Sequence, residues 1–251
     1  MNKRGQIVLY AIILVLIVLA GFLTYKIVSP TDTKQPVKLD VNSVKLFVDS
    51  CIESTAEDTL LFIGLKGGYS ELPALSTEGL IEIPYYFYEG QNHLLNKTEV
   101  EIELNKYMDS QLFFCLINLD LYKEIGFEIK SSSPTTTTSI LDTKVIFNVN
   151  YPLEISKGDQ SQTISEFRTE IPVRLGNIIK FNELIMEEQI KTPDQFCMSC
   201  MLNQTIEKDL YMKISRFVNN TYLIGIFDKQ SELNGREYLF SYAYKLEEFI
   251  E

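Results

Sequence analysis

The chain reads as an α+β protein, and three patterns carry that expectation. Residues 6–25 run QIVLYAIILVLIVLAGFLTY without a charge, and twenty helical residues rise about 30 Å, the thickness of a bilayer's hydrocarbon core. Between residues 40 and 125 apolar side chains recur at three- and four-residue spacing, as on the buried face of a helix. After residue 144 the period changes to two, the mark of half-buried strands folding back in antiparallel hairpins. Together they predict an N-terminal transmembrane helix followed by a domain with helices packed on antiparallel β-hairpins.

The flanks of the apolar run set its orientation. Lys3 and Arg4 precede it, and the positive-inside bias keeps such a short basic N-terminus in the cytoplasm and the body outside. Lys26, Lys34 and Lys38 on the far side work against this bias. Two further features agree with an extracytoplasmic body. Asn96-Lys97-Thr98, Asn203-Gln204-Thr205 and Asn219-Asn220-Thr221 are N-glycosylation sequons. The four cysteines are an even number, as disulfide frameworks require. The run is longer than a secretory h-region, and Ala20-Gly21-Phe22 is a poor cleavage site, so the helix is expected to stay attached.

Lys3-Arg4-Gly5-Gln6 followed directly by an apolar run resembles the class III signal sequence of archaeal type IV pilin-like proteins. The resemblance covers about the first 28 residues. It implies that a prepilin peptidase cuts on the cytoplasmic side, between Gly5 and Gln6, leaving the helix on the mature chain. Many pilins carry an acidic residue near the start of that helix. Here the corresponding turn holds Leu9, Tyr10 and Ala11, and the first acid is Asp32. The resemblance therefore implies a minor or accessory pilin-like protein, or a plain anchored one, rather than a major filament subunit.

Composition bounds the body. The 251 residues carry 23 basic and 34 acidic side chains. Setting aside Lys3, Arg4 and Lys26 leaves 20 cations against 34 acids, a formal charge of −14. Such a body repels phosphate backbones and anionic headgroups, so nucleic acid is not an expected partner. With 14 tyrosines and 15 phenylalanines but no tryptophan, the chain has the aromatic content of a folded core.

In chain order, residues 1–28 form the signal and anchor, and residues 29–39, with Pro30 and Pro36, a linker. A mainly helical subdomain is expected over 40–130 and an α+β subdomain over 131–251, either as two units or as one continuous domain. The first helix spans Asp40 to Leu65 and stops at Gly67-Gly68. Leu80 to Tyr88 is an extended stretch that Pro84 confines to an edge or a bulge. A second helix starts at Thr98, with Glu101 completing a capping box, and runs to about Ile125 before Gly126. SSSPTTTTS over 131–139 is either a flexible joint, an O-glycosylated patch, or the start of a strand. Val145 to Tyr151 and Phe167 to Val173 form a hairpin around Lys157-Gly158-Asp159. Two helices follow, Leu175 to Ile190 and Thr205 to Phe217. A second hairpin closes the chain, Thr221 to Phe227 and Glu237 to Tyr244 with Asn234-Gly235 in its connection. The order ββααββ implies an antiparallel sheet with helices against one face.

Cys51 and Cys115 fall on apolar stretches of the first two helices, and Cys197-x-x-Cys200 lies between the third and fourth. Of three possible pairings, Cys51–Cys115 with Cys197–Cys200 is the one expected. The other readings are a four-thiolate zinc site and a redox-active dithiol. The first lacks a second closely spaced pair, and the second lacks a thioredoxin-like βαβ setting. No cofactor and no metal are expected. Tyr85, Tyr86 and Tyr88 could stack on a sugar, although rings packing onto the core is the commoner use. His93 is the sole histidine and no phosphate loop is present, so no catalytic residue is assigned. The expectation is a membrane-anchored surface or assembly protein that touches the bilayer through residues 6–28 and contacts other surface or pilus proteins or glycans. The alternative is a tethered enzyme or ligand-binding domain acting on glycans or by redox chemistry.

Overall fold

A computed structural model describes residues 41–79 and 82–247, which belong to one compact unit. The apolar run, the residues Lys3, Arg4, Gly5 and Gln6, and the linker lie outside the described residues.

Helix α1, Val41–Leu65, is the spine of the body. Val44, Val48, Ile52, Leu60 and Ile63 are fully buried along it. It packs on strands of both sheets described below. Its last turn approaches one strand so closely that a Cβ on Gly64 would lie 2.6 Å from the Leu239 carbonyl oxygen. Gly67 and Gly68, with φ of 55° and 89°, end the helix in the left-handed region open to glycine. Helix α2, Lys97–Leu116, runs antiparallel beside α1. The direction follows from two contacts: Cys51 is bonded to Cys115, and the Thr59 hydroxyl meets the Met108 sulfur at 3.7 Å.

The capping box of α2 sits two residues earlier than expected. Asn96, not Thr98, is the N-cap: its Oδ1 accepts from Glu99 N at 3.0 Å, and the Glu99 carboxylate accepts from Asn96 N at 2.7 Å. Asn is the better cap because its carbonyl reaches the third amide without the steric demand of a β-branched residue. Glu101 instead accepts from Ile140 N at 2.8 Å and so joins α2 to a strand. After Leu116 the chain tightens into a 3₁₀ turn, Ile117–Asp120, and a one-turn helix, Leu121–Glu124, before Gly126.

The two hairpins do not share one sheet. The first sheet has the long strand β5, Val145–Lys157, at its centre, antiparallel to all its partners. One edge of β5 holds β3, Glu128–Ser131, and β4, Thr135–Ile140, end to end. The other edge pairs with β6, Gln160–Ile171. The Ser/Thr stretch therefore runs into the sheet, with Thr136 and Thr138 on its buried side. Val145, Phe147, Val149 and Tyr151 face the core as their alternation predicts, while Glu166, Arg168 and Glu170 face outward.

The second sheet has the order β2-β1-β9-β8-β7. Strands β8, Thr221–Leu233, and β9, Arg236–Lys245, form its hairpin around Asn234-Gly235, both at positive φ as a tight type I′ connection demands. β1, Tyr85–Tyr88, lies parallel to β9, and the two-residue β2, Gln91–Asn92, covers its other side. Pro84, expected to confine this strand to an edge or a bulge, sits just before it and accepts from Ala243 N at 2.9 Å, and the register of β1 on β9 shifts between Tyr85 and Phe87. The expected single antiparallel sheet is thus two sheets, the second containing one parallel pair.

Helix α3, Leu175–Gln189, spans from one sheet to the other. A Cβ on Gly176 would meet the Leu141 carbonyl oxygen at 2.6 Å, while Asn182 Oδ1 accepts from the Tyr242 hydroxyl at 3.0 Å. The fourth helix is displaced from its expected position. Helix α4 covers Met198–Lys208, and Asp209 ends it at φ 52°. Residues Tyr211–Arg216, expected as helix, form strand β7 at the edge of the second sheet. Their alternation (Met212 and Ile214 half-buried, Lys213 and Ser215 exposed) suits a strand better than a helical face.

Candidate functional site

The most distinctive surface among the described residues is apolar. The flank of α2 adjoining its buried face, with the 3₁₀ turn and the one-turn helix that follow, carries Phe113, Phe114, Ile117, Leu121 and Ile125. These five are between 56% and 67% exposed. Four-residue steps keep Leu104, Met108, Leu112 and Leu116 on the buried face of α2, and Phe113 and Ile117 each follow one of them by a single residue. The Phe113 and Phe114 rings meet edge to face with centroids 5.7 Å apart. Beside them lies an open groove of about 480 Å³ lined by Phe113, Ile117, Lys123, Ile129, Pro134 and Tyr151.

The platform sits at the end of the body where α1 begins. The Tyr122 hydroxyl donates to the Ser43 carbonyl at 3.1 Å, and the Phe47 and Tyr122 rings lie 5.9 Å apart. The Cys51–Cys115 disulfide, with Cα atoms 5.9 Å apart, fastens the same end. A second apolar stripe, Met198, Leu202 and Ile206, lies exposed along α4 at the same four-residue spacing. Both stripes are legible in the sequence only as apolar positions in excess of those one buried face needs.

The residues singled out from sequence are distributed over the body. Tyr86 is buried, its hydroxyl donating to the Gly67 carbonyl at 2.7 Å and its ring stacked on Tyr242 with centroids 4.4 Å apart. Burial pushes the phenols of Tyr86, Tyr238, Tyr242 and Tyr244 well up, so all four stay protonated. Tyr85 and Tyr88 are half-buried. The Tyr85 hydroxyl lies 3.2 Å from that of Thr221, and Tyr88 accepts from Lys245 Nζ at 3.3 Å. Lys245 also pairs with Glu89 at 2.5 Å. These tyrosines build the junction of β1 with β8 and β9.

Cys197 and Cys200 are bonded to each other, so the four sulfurs form two separate disulfides in the expected pairing. Among the described residues no group of three or more His, Cys, Asp or Glu side chains converges as metal ligands would. His93 is half-buried just after β2, its amide donating to the Tyr86 carbonyl at 2.8 Å. The three sequon asparagines are exposed: Asn96 at the N-cap of α2, Asn203 within α4, and Asn219 in the connection from β7 to β8.

A further open groove, of about 830 Å³, is lined by Tyr69, Ser70, Glu103, Lys106 and Tyr107. Its carboxylate is already engaged. Glu103 accepts from Ser70 N at 2.9 Å, Ser70 Oγ at 2.5 Å and Lys106 Nζ at 2.6 Å. Burial raises the Glu103 carboxyl, but these bonds outweigh it and hold the group below its ordinary range. Asp109, by contrast, is pushed up by burial beside Thr136.

Sequence reasoning also missed a polar cluster around Arg174. Its guanidinium pairs with Asp228, which is fully buried, and donates to the Lys208 and Asp209 carbonyls at 3.3 and 2.9 Å. This cluster joins α3, α4 and β8. Comparison with protein-family models, curated proteins and solved structures finds no match for the chain. Among the described residues no helix is long and apolar enough to cross a membrane.

Proposed function

We propose that the protein is a membrane-anchored, extracytoplasmic surface or assembly protein of the minor pilin-like kind, whose body works by contact. The observation that carries the contact role is the pair of unpartnered apolar stripes, Phe113 to Ile125 and Met198 to Ile206, on an otherwise acidic body. Contiguous exposed apolar surface is costly to keep in water and marks places where something else docks. Two disulfides support an oxidising compartment. The charge-free run at 6–25, behind Lys3 and Arg4, supports the anchor and its orientation.

The buried tyrosines and the engaged Glu103 favour contact over catalysis, since neither presents a free reactive group to a groove. N-terminal sequencing of the mature protein from its native membranes tests the pilin-like part. A chain beginning at Gln6 is the expected result. A chain beginning at Met1 or Asn2 would sink that part and leave a plain signal-anchored ectodomain.

A further inference from the structure

We propose that Phe113, Phe114, Ile117, Leu121 and Ile125 form a seat through which the body rests in the interfacial layer of a neutral lipid bilayer. The inference rests on the anchored reading above and adds an orientation for the body.

Three observations lead to it. The platform lies at the start of α1, as the Tyr122–Ser43 hydrogen bond and the Cys51–Cys115 bond show. The chain preceding that point, Lys26 to Asp40, is a short connection to the apolar run. Fifteen residues can reach no further than about 50 Å whatever their conformation. A bilayer holding residues 6–25 therefore meets this end of the body as an intramolecular partner at high effective concentration.

Charge selects the occupant. Within residues 113–125 the formal charges are Asp120, Lys123 and Glu124, too few to demand an ionic partner. A second copy brings another strongly acidic body and is repelled, as is an anionic headgroup layer. A zwitterionic surface imposes no such cost. Exposed Phe, Leu and Ile side chains are the kind that bury their apolar face about 5–10 Å into the boundary between headgroups and acyl chains.

The test uses the full chain in phosphatidylcholine vesicles. The protein has no tryptophan, so Phe114→Trp and, separately, Ile117→Trp provide single reporters at exposed positions. Leu65→Trp is the control, at the far end of α1 and about 36 Å along the helix from Val41. Lipids brominated near the headgroup should quench F114W and I117W emission about twofold and leave L65W unchanged, as interfacial burial requires. Including anionic lipid should reduce the quenching. If F114W and I117W are as open to aqueous iodide as L65W and unquenched by lipid, the seat is refuted. Shielding from both iodide and brominated lipid would mean that protein covers the face, which also refutes it. Carbonate extraction of the same vesicles separates the two readings. A retained chain with unquenched reporters loses only the seat, whereas an extracted chain loses the anchor as well.

Discussion

The guanidinium of Arg174 and the carboxylate of Asp228 form a two-pronged pair across 54 positions of sequence. Nε donates to Oδ2 at 2.9 Å and Nη2 to Oδ1. Ser231 Oγ donates to Oδ2 at 2.5 Å, and Gln230 N to Oδ1 at 3.1 Å. With 13% of the Arg174 side chain exposed and none of Asp228, the pair is held largely out of water. The carboxylate's lone pairs are well used, which offsets its desolvation.

Removing one partner strands the other. Asp228→Asn should lower unfolding free energy by about 3–5 kcal/mol. Arg174→Met should cost a similar amount, and the double variant less than the sum of the two, with a coupling of about 2 kcal/mol. Urea midpoints of the three variants measure this. Additive losses would show that the pair is not an energetic unit.

The same carboxylate shapes the acid limb of stability. Burial pushes the Asp228 carboxyl up, but hydrogen bonds from Arg174, Ser231 and Gln230 N outweigh it and hold the group below its ordinary range. The unfolded chain therefore takes up this proton first, near pH 4. The contribution is complete above that pH and is lost as pH falls toward the folded-state value. An Asp228→Asn variant should show a shallower fall in stability below about pH 5 than the parent, read from denaturation midpoints along a pH series. Parallel acid limbs would contradict the assignment.

The two disulfides differ in the loop they close. Cys51–Cys115 is separated by 64 positions and Cys197–Cys200 by 3. Loop-closure entropy assigns about 4 kcal/mol to the long bridge and about 2 kcal/mol to the short one. Replacing Cys51 and Cys115 by Ala should therefore lower the melting temperature more than replacing Cys197 and Cys200. The reverse order would show that native-state effects outweigh chain entropy.

Asn96 has two potential roles that separate cleanly. Asn96→Ala removes the N-cap of α2 and should cost about 1 kcal/mol. Thr98→Ala breaks the same sequon but leaves the cap intact, so its thermal stability should change little. Melting curves of unglycosylated protein compare the two changes, and intact mass of the native-host protein shows whether the sequon is used. A larger loss for T98A would restore Thr98 as the cap.

What was legible in the sequence was local. The β5–β6 hairpin announces itself by alternation, and the β8–β9 hairpin by Asn234-Gly235, because each pairs neighbours along the chain. Helices α1 and α2 follow from spacing, and their cysteines from lying on facing apolar stretches. Strand β7 was hidden because it is short and follows a helix without a Gly or Pro. The αL residue Asp209 marks the break, yet aspartate is common enough in helices to conceal it. The parallel pairing of β1 with β9 and the Arg174–Asp228 pair join residues far apart in sequence, which no periodicity records. The apolar platform was obscured for another reason: a stripe adjoining a buried face reads as a wider buried face.

The bond from Cys51 to Cys115 also has a mechanical side. Tension on the chain ahead of Val41 enters the body at the first turn of α1 and can peel that helix for about three turns before reaching Cys51. There the load divides, part continuing along α1 and part crossing the covalent link into α2. Peeling further then requires both helices to leave their seats together, and α2 is pinned to the first sheet through Glu101 and Asn105, which accept from Ile140 N and Thr138 N at 2.8 Å. A pull that would unzip a single helix is thereby converted into shear across two, which raises the force the body withstands at its Val41 end.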